Sequence, residues 1–276
     1  MLFSTFPPSM SGKDMGGFIS LEDTSWEDIS KIAKEGKAAD RILVGSIKSL
    51  TYGGNTYRMR VIGVNHDIVT DSESYGGFKA EDGTTRAGVT FESIENIYGT
   101  TRFGPTVSSY ANVVYWGDWT DGTTKGSRLQ QSTIRSETFS DTNFVAKLDS
   151  GALTNLIVPV QKKYYVGYLS AMAEVSDKVF LLSAREIGIA SSSADYYGEG
   201  ETYAYYDSLP RVFDKIRSSV ANTDGAPAAN TWLRTQAYDS SASAGTNKIF
   251  TLTSTGGRAA MACAGTTISM GFAFCL

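Results

Sequence analysis

Histidine occurs once in 276 residues, at His66, and cysteine twice, at Cys263 and Cys275. One imidazole cannot build a multi-histidine zinc or iron site, and it leaves histidine acid–base chemistry a single foothold. Two cysteines cannot make a zinc ribbon or a disulfide-dense scaffold. No metal and no cofactor is expected. No apolar run approaches the roughly 18 residues of a membrane-spanning helix, so no membrane insertion is expected. The start, Met1-Leu2-Phe3-Ser4-Thr5-Phe6-Pro7-Pro8, lacks the basic and long apolar regions of an export signal. Positive charge is in deficit as well. With 25 basic against 29 acidic side chains the net charge is −4, which argues against a nucleic-acid partner.

What is plentiful is glycine (28), tyrosine (15) and phenylalanine (13), beside many serines and threonines and only 6 prolines. That mixture suits short strands and polar, tyrosine-bearing loops and poorly suits a helical bundle. A hydrophobic share of 41% supplies a core and argues against disorder.

Residues 1–22 read as an arm. Pro7-Pro8, Gly12 and Gly16-Gly17 interrupt any helix, yet Leu2, Phe3, Phe6, Phe18 and Ile19 are too apolar for a free tail. Such an arm packs on its own domain or on a neighbouring subunit. Thr24-Ser25-Trp26-Glu27 has the spacing of a capping box, Trp26, Ile29, Ile32 and Ala33 make one apolar face, and Gly36 supplies the stop. These predict a helix over 25–35.

A β-meander is predicted over 41–64, turning at Gly53-Gly54-Asn55, and a polar loop over 66–86. A strand is expected at 87–94, then a loop over 98–124, then helical turns near 126–136, 141–148 and 151–157. A strand follows Pro159. Asp177 to Ser183 reads as a buried strand, and Ser183-Ala184-Arg185-Glu186 as a second capping box. Residues 190–208 read as a tyrosine-bearing loop, with a short helix after Pro210. At the C-terminus, 248–253 alternates like a strand, and 259–264 with 268–276 reads as a hairpin turning at 265–267. In its last strand Ile268, Met270, Phe272, Phe274 and Leu276 share one face, and Ser269, Gly271, Ala273 and Cys275 the other. That register holds Cys263 and Cys275 roughly 20 Å apart, so two free buried thiols are expected. No linker divides the chain: the simplest reading is an arm at 1–22 and one domain at 23–276.

Few residues carry a chemical signal. His66-Asp67 after a strand could be a catalytic pair or a loop bonding its own backbone, and no nucleophile motif accompanies it. Asp118-Trp119-Thr120-Asp121-Gly122 resembles part of a calcium loop but lacks its full ligand spacing. Between Tyr196 and Tyr206 lie five tyrosines in eleven positions, a composition suited to contact surfaces or to packing on a sheet. Trp232-Leu233-Arg234 precedes a second polar loop beginning at Tyr238. Trp232 is expected in the core and Arg234 in an ion pair.

In order, the chain carries Trp26-Glu27-Asp28-Ile29, Gly36-Lys37-Ala38, Val44-Gly45 and Val61-Ile62-Gly63-Val64-Asn65-His66-Asp67. It continues with Gly88-Val89-Thr90-Phe91, Asp177-Lys178-Val179-Phe180-Leu181-Leu182-Ser183, Glu186-Ile187 and Gly198-Glu199-Gly200. Trp232-Leu233-Arg234 and Gly271-Phe272-Ala273-Phe274-Cys275 complete the series. Over about 24–276 this resembles an uncharacterised C-type-lectin-like domain family of Firmicutes phages and gut-bacterial surface proteins. The resemblance implies an α+β fold of small antiparallel sheets, two or three short helices and long loops on one side. It implies a role in adhesion or display and brings no catalytic residues. The sequence lacks the Glu-Pro-Asn and Trp-Asn-Asp calcium motifs of sugar-binding C-type lectins.

The reading that follows is a non-enzymatic phage virion structural protein of tail, baseplate or head, assembled in the host cytoplasm. It would dock on other virion proteins through its arm, form a homo-oligomer, and bind a host-surface glycan or protein. The alternative is a bacterial cell-surface or secreted adhesin module. If loops on a rigid scaffold do the binding, the expected ligand-contacting residues are Tyr196, Tyr197, Arg234 and Tyr238.

Overall fold

The first helix begins one residue later than its capping signal places it. The computed structural model describes residues 17–96, 98–104, 113–117, 129–166, 171–189, 198–208, 230–237, 248–262 and 266–276. In it α1 spans Trp26–Lys34 and Ser25 is the N-cap, its side chain accepting from the Asp28 amide and donating to the Asp28 carboxylate at 2.8 Å. The Thr24 hydroxyl instead donates back to the Ser20 carbonyl at 2.7 Å. The reciprocal cap therefore uses Ser25 and Asp28 rather than Thr24 and Glu27. Trp26, Ile29 and Ala33 are buried as the periodicity requires, and α2 (Ala38–Arg41) follows. Residues 17–22, the described end of the expected arm, lie on the chain's own body. Ile19 donates to the Arg41 carbonyl at 2.9 Å, Leu21 is buried, and the Lys48 ammonium reaches the carbonyls of Leu21 and Thr24.

β1 (Ile47–Tyr52) and β2 (Asn55–Val64) make the expected hairpin, but 41–46 is not strand. Gly53 and Gly54 turn it with φ of +59° and +81°, a backbone that favours glycine. The segment 66–86 is more ordered than a polar loop. It holds α3 (Ser72–Tyr75) and a ribbon of β3 (Phe78–Lys79) and β4 (Thr85–Arg86). β5 (Val89–Ser93) matches the strand expected at 87–94. Inside the expected loop 98–124 lie β6 (Tyr98–Thr101) and β7 (Val113–Tyr115), and β7 runs parallel to β8 (Leu129–Gln131), where a helical turn was expected.

The next turns are irregular: a π-helical turn over Ile134–Thr138 and a 3-10 segment over Val145–Gly151. The latter breaks at Asp149 and Ser150, whose φ are +44° and +56°. The Asp149 carboxylate accepts from the Trp26 indole and, at 2.6 and 2.7 Å, from the Thr51 amide and hydroxyl. Those three donors hold a conformation that local propensity opposes.

β9 (Val160–Val166) starts after Pro159 and pairs with β10 (Ala171–Asp177), and β11 (Val179–Phe180) follows. α4 (Ala204–Asp207) lies in the expected loop 190–208. The helix expected after Pro210 lies outside the described residues. The chain continues with β12 (Thr231–Gln236), β13 (Lys248–Leu252), β14 (Arg258–Ala262), β15 (Ile268–Met270) and β16 (Ala273–Cys275).

Among the described residues the strands form two five-stranded sheets, ordered β1-β2-β5-β16-β11 and β14-β13-β12-β15-β6, and three two-stranded ribbons. The fold is α+β, with mostly small antiparallel sheets and few helices. Among the described residues the C-terminal hairpin read from the sequence is not formed. β14 pairs with β13 across a tight turn, with Leu252 opposite Arg258 and Gly256 at φ +80°. β15 lies parallel to β12 and antiparallel to β6, and β16 crosses to the first sheet between β5 and β11. β14 therefore takes its neighbour on the N-terminal side, and the last residues find partners far back in the chain. The single last strand read from the sequence is instead two, β15 and β16, and 272–276 are all buried, with Phe274 on the aromatic side and Cys275 on the Asp67 side. Cys275 is a free, buried thiol, and Cys263 lies outside the described residues.

A chain of aromatic rings joins the sheets. It runs from Trp26 to Phe274 (5.9 Å between centroids), Phe272 (6.0 Å), Phe139 (6.5 Å), Trp116 (6.3 Å), Phe103 (6.2 Å) and Trp232 (5.7 Å). Phe272 sits at the crossover, so the residue that leaves one sheet for the other also links their cores. The helix packs closely on this frame at Gly88, where a Cβ would stand 2.5 Å from Ala33 Cα and 2.6 Å from its Cβ. Gly88→Ala is expected to push α1 away and destabilise the protein by about 1–3 kcal/mol. A denaturation midpoint equal to wild type would refute that packing.

Candidate functional site

The most concentrated ionisable chemistry lies inside the protein, and a bulge in β2 begins it. Val61 faces Phe91 while Gly63 faces Thr90, so Ile62 is the extra residue. Gly63 leaves room for an aromatic ring, because a Cβ there would meet Tyr203 Cδ1 at 2.8 Å. Asn65 then adopts φ +53°. The His66 ring lies on Tyr203 with centroids 4.2 Å apart, and Asp67 turns inward. Beyond it the backbone runs antiparallel to β9. Val69 pairs with Val160, and Gln161 donates to the Ile68 carbonyl at 2.8 Å. That register carries Asp67 opposite Lys162.

Five elements converge on this pair. The Lys162 ammonium donates to Asp67 Oδ1, to Glu186 Oε1 at 3.2 Å and to the Tyr203 hydroxyl at 2.8 Å, using all three of its protons. Asp67 Oδ2 accepts from the hydroxyls of Thr90 at 2.6 Å and Tyr203 at 2.9 Å, with the Cys275 thiol at 3.4 Å. Glu186 arrives through the second capping box, which forms as read: the Ser183 amide donates to Glu186 Oε2 and the Glu186 amide to Ser183 Oγ. The Arg234 guanidinium grips Glu186 with two bonds, at 2.5 and 2.7 Å. Its remaining donors reach the carbonyls of Lys163, Leu181 and Glu199. Glu199 accepts from the Tyr165 amide at 2.8 Å and from the Thr235 hydroxyl.

Burial would push Asp67 up, but Lys162 beside it holds its carboxyl well below the usual range. Glu186 is lowered against the same burial by Arg234 and then Lys162. Burial acting on Lys162 is likewise overcome, by Asp67 and Glu186, and its ammonium is held above the ordinary value. Burial wins at Glu199, which is pushed up to about 7 despite Arg234. It also raises the Tyr203 hydroxyl and the Cys275 thiol, with Asp67 adding to both, so Cys275 is a poor nucleophile. Two cations thus balance two firmly ionised carboxylates, with a third acid near neutrality.

The expected ligand-contacting residues are not brought together here. Tyr196, Tyr197 and Tyr238 lie outside the described residues, as do residues 118–122 of the calcium-like stretch. Arg234 is a correction: its side chain is 0% exposed and every guanidinium donor is engaged within the protein, so it presents nothing to a ligand. Its other reading, as an ion-pair partner, describes its position. In the His66-Asp67 dipeptide the two side chains part: the imidazole packs on Tyr203, and Asp67 is half of a buried ion pair with Lys162. Lys162, the inward-facing member of a Lys162-Lys163 pair between Val160 and the run Tyr164-Tyr165-Val166, carries no local signal that sets it apart from its exposed neighbour. Among the described residues no group of His, Cys, Asp and Glu is arranged to hold a metal ion, and no helix is long and apolar enough to cross a membrane. An open depression of about 510 Å³ lies elsewhere, lined in part by the Arg135–Asp177 and Lys178–Asp141 ion pairs.

Glu199 makes stability depend on pH. Unfolded, it titrates near the usual value of about 4.3, so between there and about 7 the native state holds the extra proton. Stability therefore falls as pH rises across that window, by on the order of 3 kcal/mol, and levels off above it. Asp67 and Glu186, both lowered, act oppositely: what they contribute is present above the ordinary carboxylate range and lost on acidification through it. Glu199→Gln keeps one acceptor and one donor and should remove the first slope alone. The variant is expected to exceed wild type in stability near pH 8 and not near pH 4.5. Denaturant titrations at both values check this, and parallel profiles for the two proteins would contradict it.

No curated protein and no solved structure matches the chain. Residues 110–270, more than half of its length, match the family described as a domain of unknown function, DUF6273, and the match ends with β15. The chain belongs to that family.

Proposed function

We propose that the protein is a C-type-lectin-like display module of a phage virion, on the tail, baseplate or head, that holds tyrosine-bearing segments out to a host-surface glycan or protein. The support is where the ends of two such segments start. Residues 190–197, with Tyr196 and Tyr197, lead into Gly198-Glu199. Residues 238–247, with Tyr238, follow Ala237. Glu199 takes the Thr235 hydroxyl on its carboxylate, and its carbonyl takes Arg234 at 2.9 Å. Ala237 donates to the Lys248 carbonyl at 3.0 Å, closing the base of the second segment. Both segments therefore spring from one buried, charge-locked patch, with the half-exposed Met172 packed at Gly198. A rigid base under variable segments is the arrangement that recognition surfaces use. Docking on other virion proteins through the N-terminal arm, and homo-oligomer formation, complete the reading.

Tyr196, Tyr197 and Tyr238 are then separable from Arg234. Replacing the three tyrosines with Ala is expected to abolish adsorption of the purified protein to host cells while leaving the melting temperature near that of wild type. Arg234→Ala should instead cost about 3–5 kcal/mol of stability, because Glu186 is left buried without its partner. Adsorption that survives the triple substitution, or purified particles in which mass spectrometry never detects the chain, would sink this proposal.

A further inference from the structure

The Lys162–Asp67 contact has more in place than an ion pair needs. We propose that Lys162 and Asp67 condense spontaneously, once the chain has folded, into an intramolecular isopeptide bond, with Glu186 as the base that starts the reaction.

Four observations carry this. First, the partners, 95 positions apart in sequence, are held side by side by backbone pairing, since Val69 faces Val160 two residues along on each strand. Fixing two reactants in contact replaces a dilute encounter with an effective concentration of about 10⁵ M or more. Second, the site is shut from water: the side chains are 1% and 5% exposed, and the Phe180 ring covers the ammonium at 3.8 Å. Third, a second carboxylate, Glu186 Oε1, lies 3.2 Å from the same nitrogen and is held in position by its two bonds from Arg234. Fourth, the oxygen of Asp67 away from the amine accepts from the Thr90 hydroxyl at 2.6 Å, and the Tyr203 hydroxyl lies 2.9 Å from it and 3.0 Å from the other oxygen. Donors fixed at that position stabilise the charge of a tetrahedral adduct.

The step balances without any further reactant. The Lys162 ammonium passes one proton to Glu186, which hands it to Asp67 Oδ1, so that a free amine faces a carboxylic acid. The amine attacks Cγ, and negative charge gathers on Oδ2, under Thr90 and Tyr203. The nitrogen gives a second proton, again through Glu186, to the Oδ1 hydroxyl, and the C–Oδ1 bond breaks to release water. One C–N bond replaces one C–O bond, and nothing is oxidised or reduced. The ammonium and carboxylate become a neutral amide, which removes two charges from the interior and leaves the Arg234–Glu186 pair balanced. The buried Arg60–Glu92 pair supplies a contrast. It too joins neighbouring strands, at 2.5 Å, but a guanidinium is held protonated and cannot act as the nucleophile.

Intact-mass spectrometry of the purified full-length chain under denaturing conditions tests this. The expected mass is one water below that of the sequence, and proteolysis should yield a branched fragment joining the peptides of Lys162 and Asp67. In Asp67→Asn the same attack expels ammonia, so the deficit should change from one water to one ammonia. Lys162→Arg should show the full mass. Glu186→Gln should slow joining by about a hundredfold or more, and an unchanged rate would remove Glu186 from the step. Folded wild-type protein at full sequence mass, or a water loss mapped to another pair, overturns the proposal whether or not the variants fold. Neither result depends on adsorption or on finding the chain in particles.

Discussion

The bidentate grip of Arg234 on Glu186 is the constraint around which the interior is arranged. A buried guanidinium must place five N–H donors, and this one spends them on Glu186 and on the carbonyls of Lys163, Leu181 and Glu199. Each acceptor belongs to a different stretch of chain, so one side chain sets the positions of β9, the end of β11, the capping turn and the approach to Tyr203. Such a pair contributes little net stability compared with an apolar substitute, because desolvating two charges offsets their attraction. What it provides is a single arrangement, since any other packing strands a charge.

The aromatic chain and the ionic cluster divide the work. The rings from Trp26 through Phe272 to Trp232 supply non-directional burial across both sheets. The cluster supplies direction, because hydrogen bonds and ion pairs tolerate little misalignment. They meet in β16, where Phe274 faces the rings and Cys275 faces Asp67. Alternation along that strand thus sends one side chain to each system, and the crossover at Gly271-Phe272 is what brings the strand there.

Legibility followed sequence distance. The helix with its apolar face, the Gly53-Gly54 hairpin, the strand after Pro159 and the Ser183–Glu186 capping box depend on residues within one or two turns of each other, and all were readable. The helix start slipped by one because Thr24 and Ser25 are both competent caps, and only the Ser20 carbonyl that occupies Thr24 decides between them. The C-terminal hairpin failed because its strands alternate as a local pair would, while β14 pairs with the preceding β13, and the partners of β15 and β16, among them β5, β6 and β12, lie further upstream. Asp67, Glu186 and Arg234 each stood out for some local reason. Lys162, the residue that connects them, has nothing near it in sequence to announce a partner.

Alone, the amino-acid string determined composition, the α+β class and the short-range elements, because propensity, capping and turn chemistry act over a few residues. Tertiary structure decided which strands share a sheet, that Arg234 faces inward, and that Lys162 touches Asp67. Those outcomes turn on burying charge without leaving it unpaired, and that requirement is satisfied between residues as many as 208 positions apart.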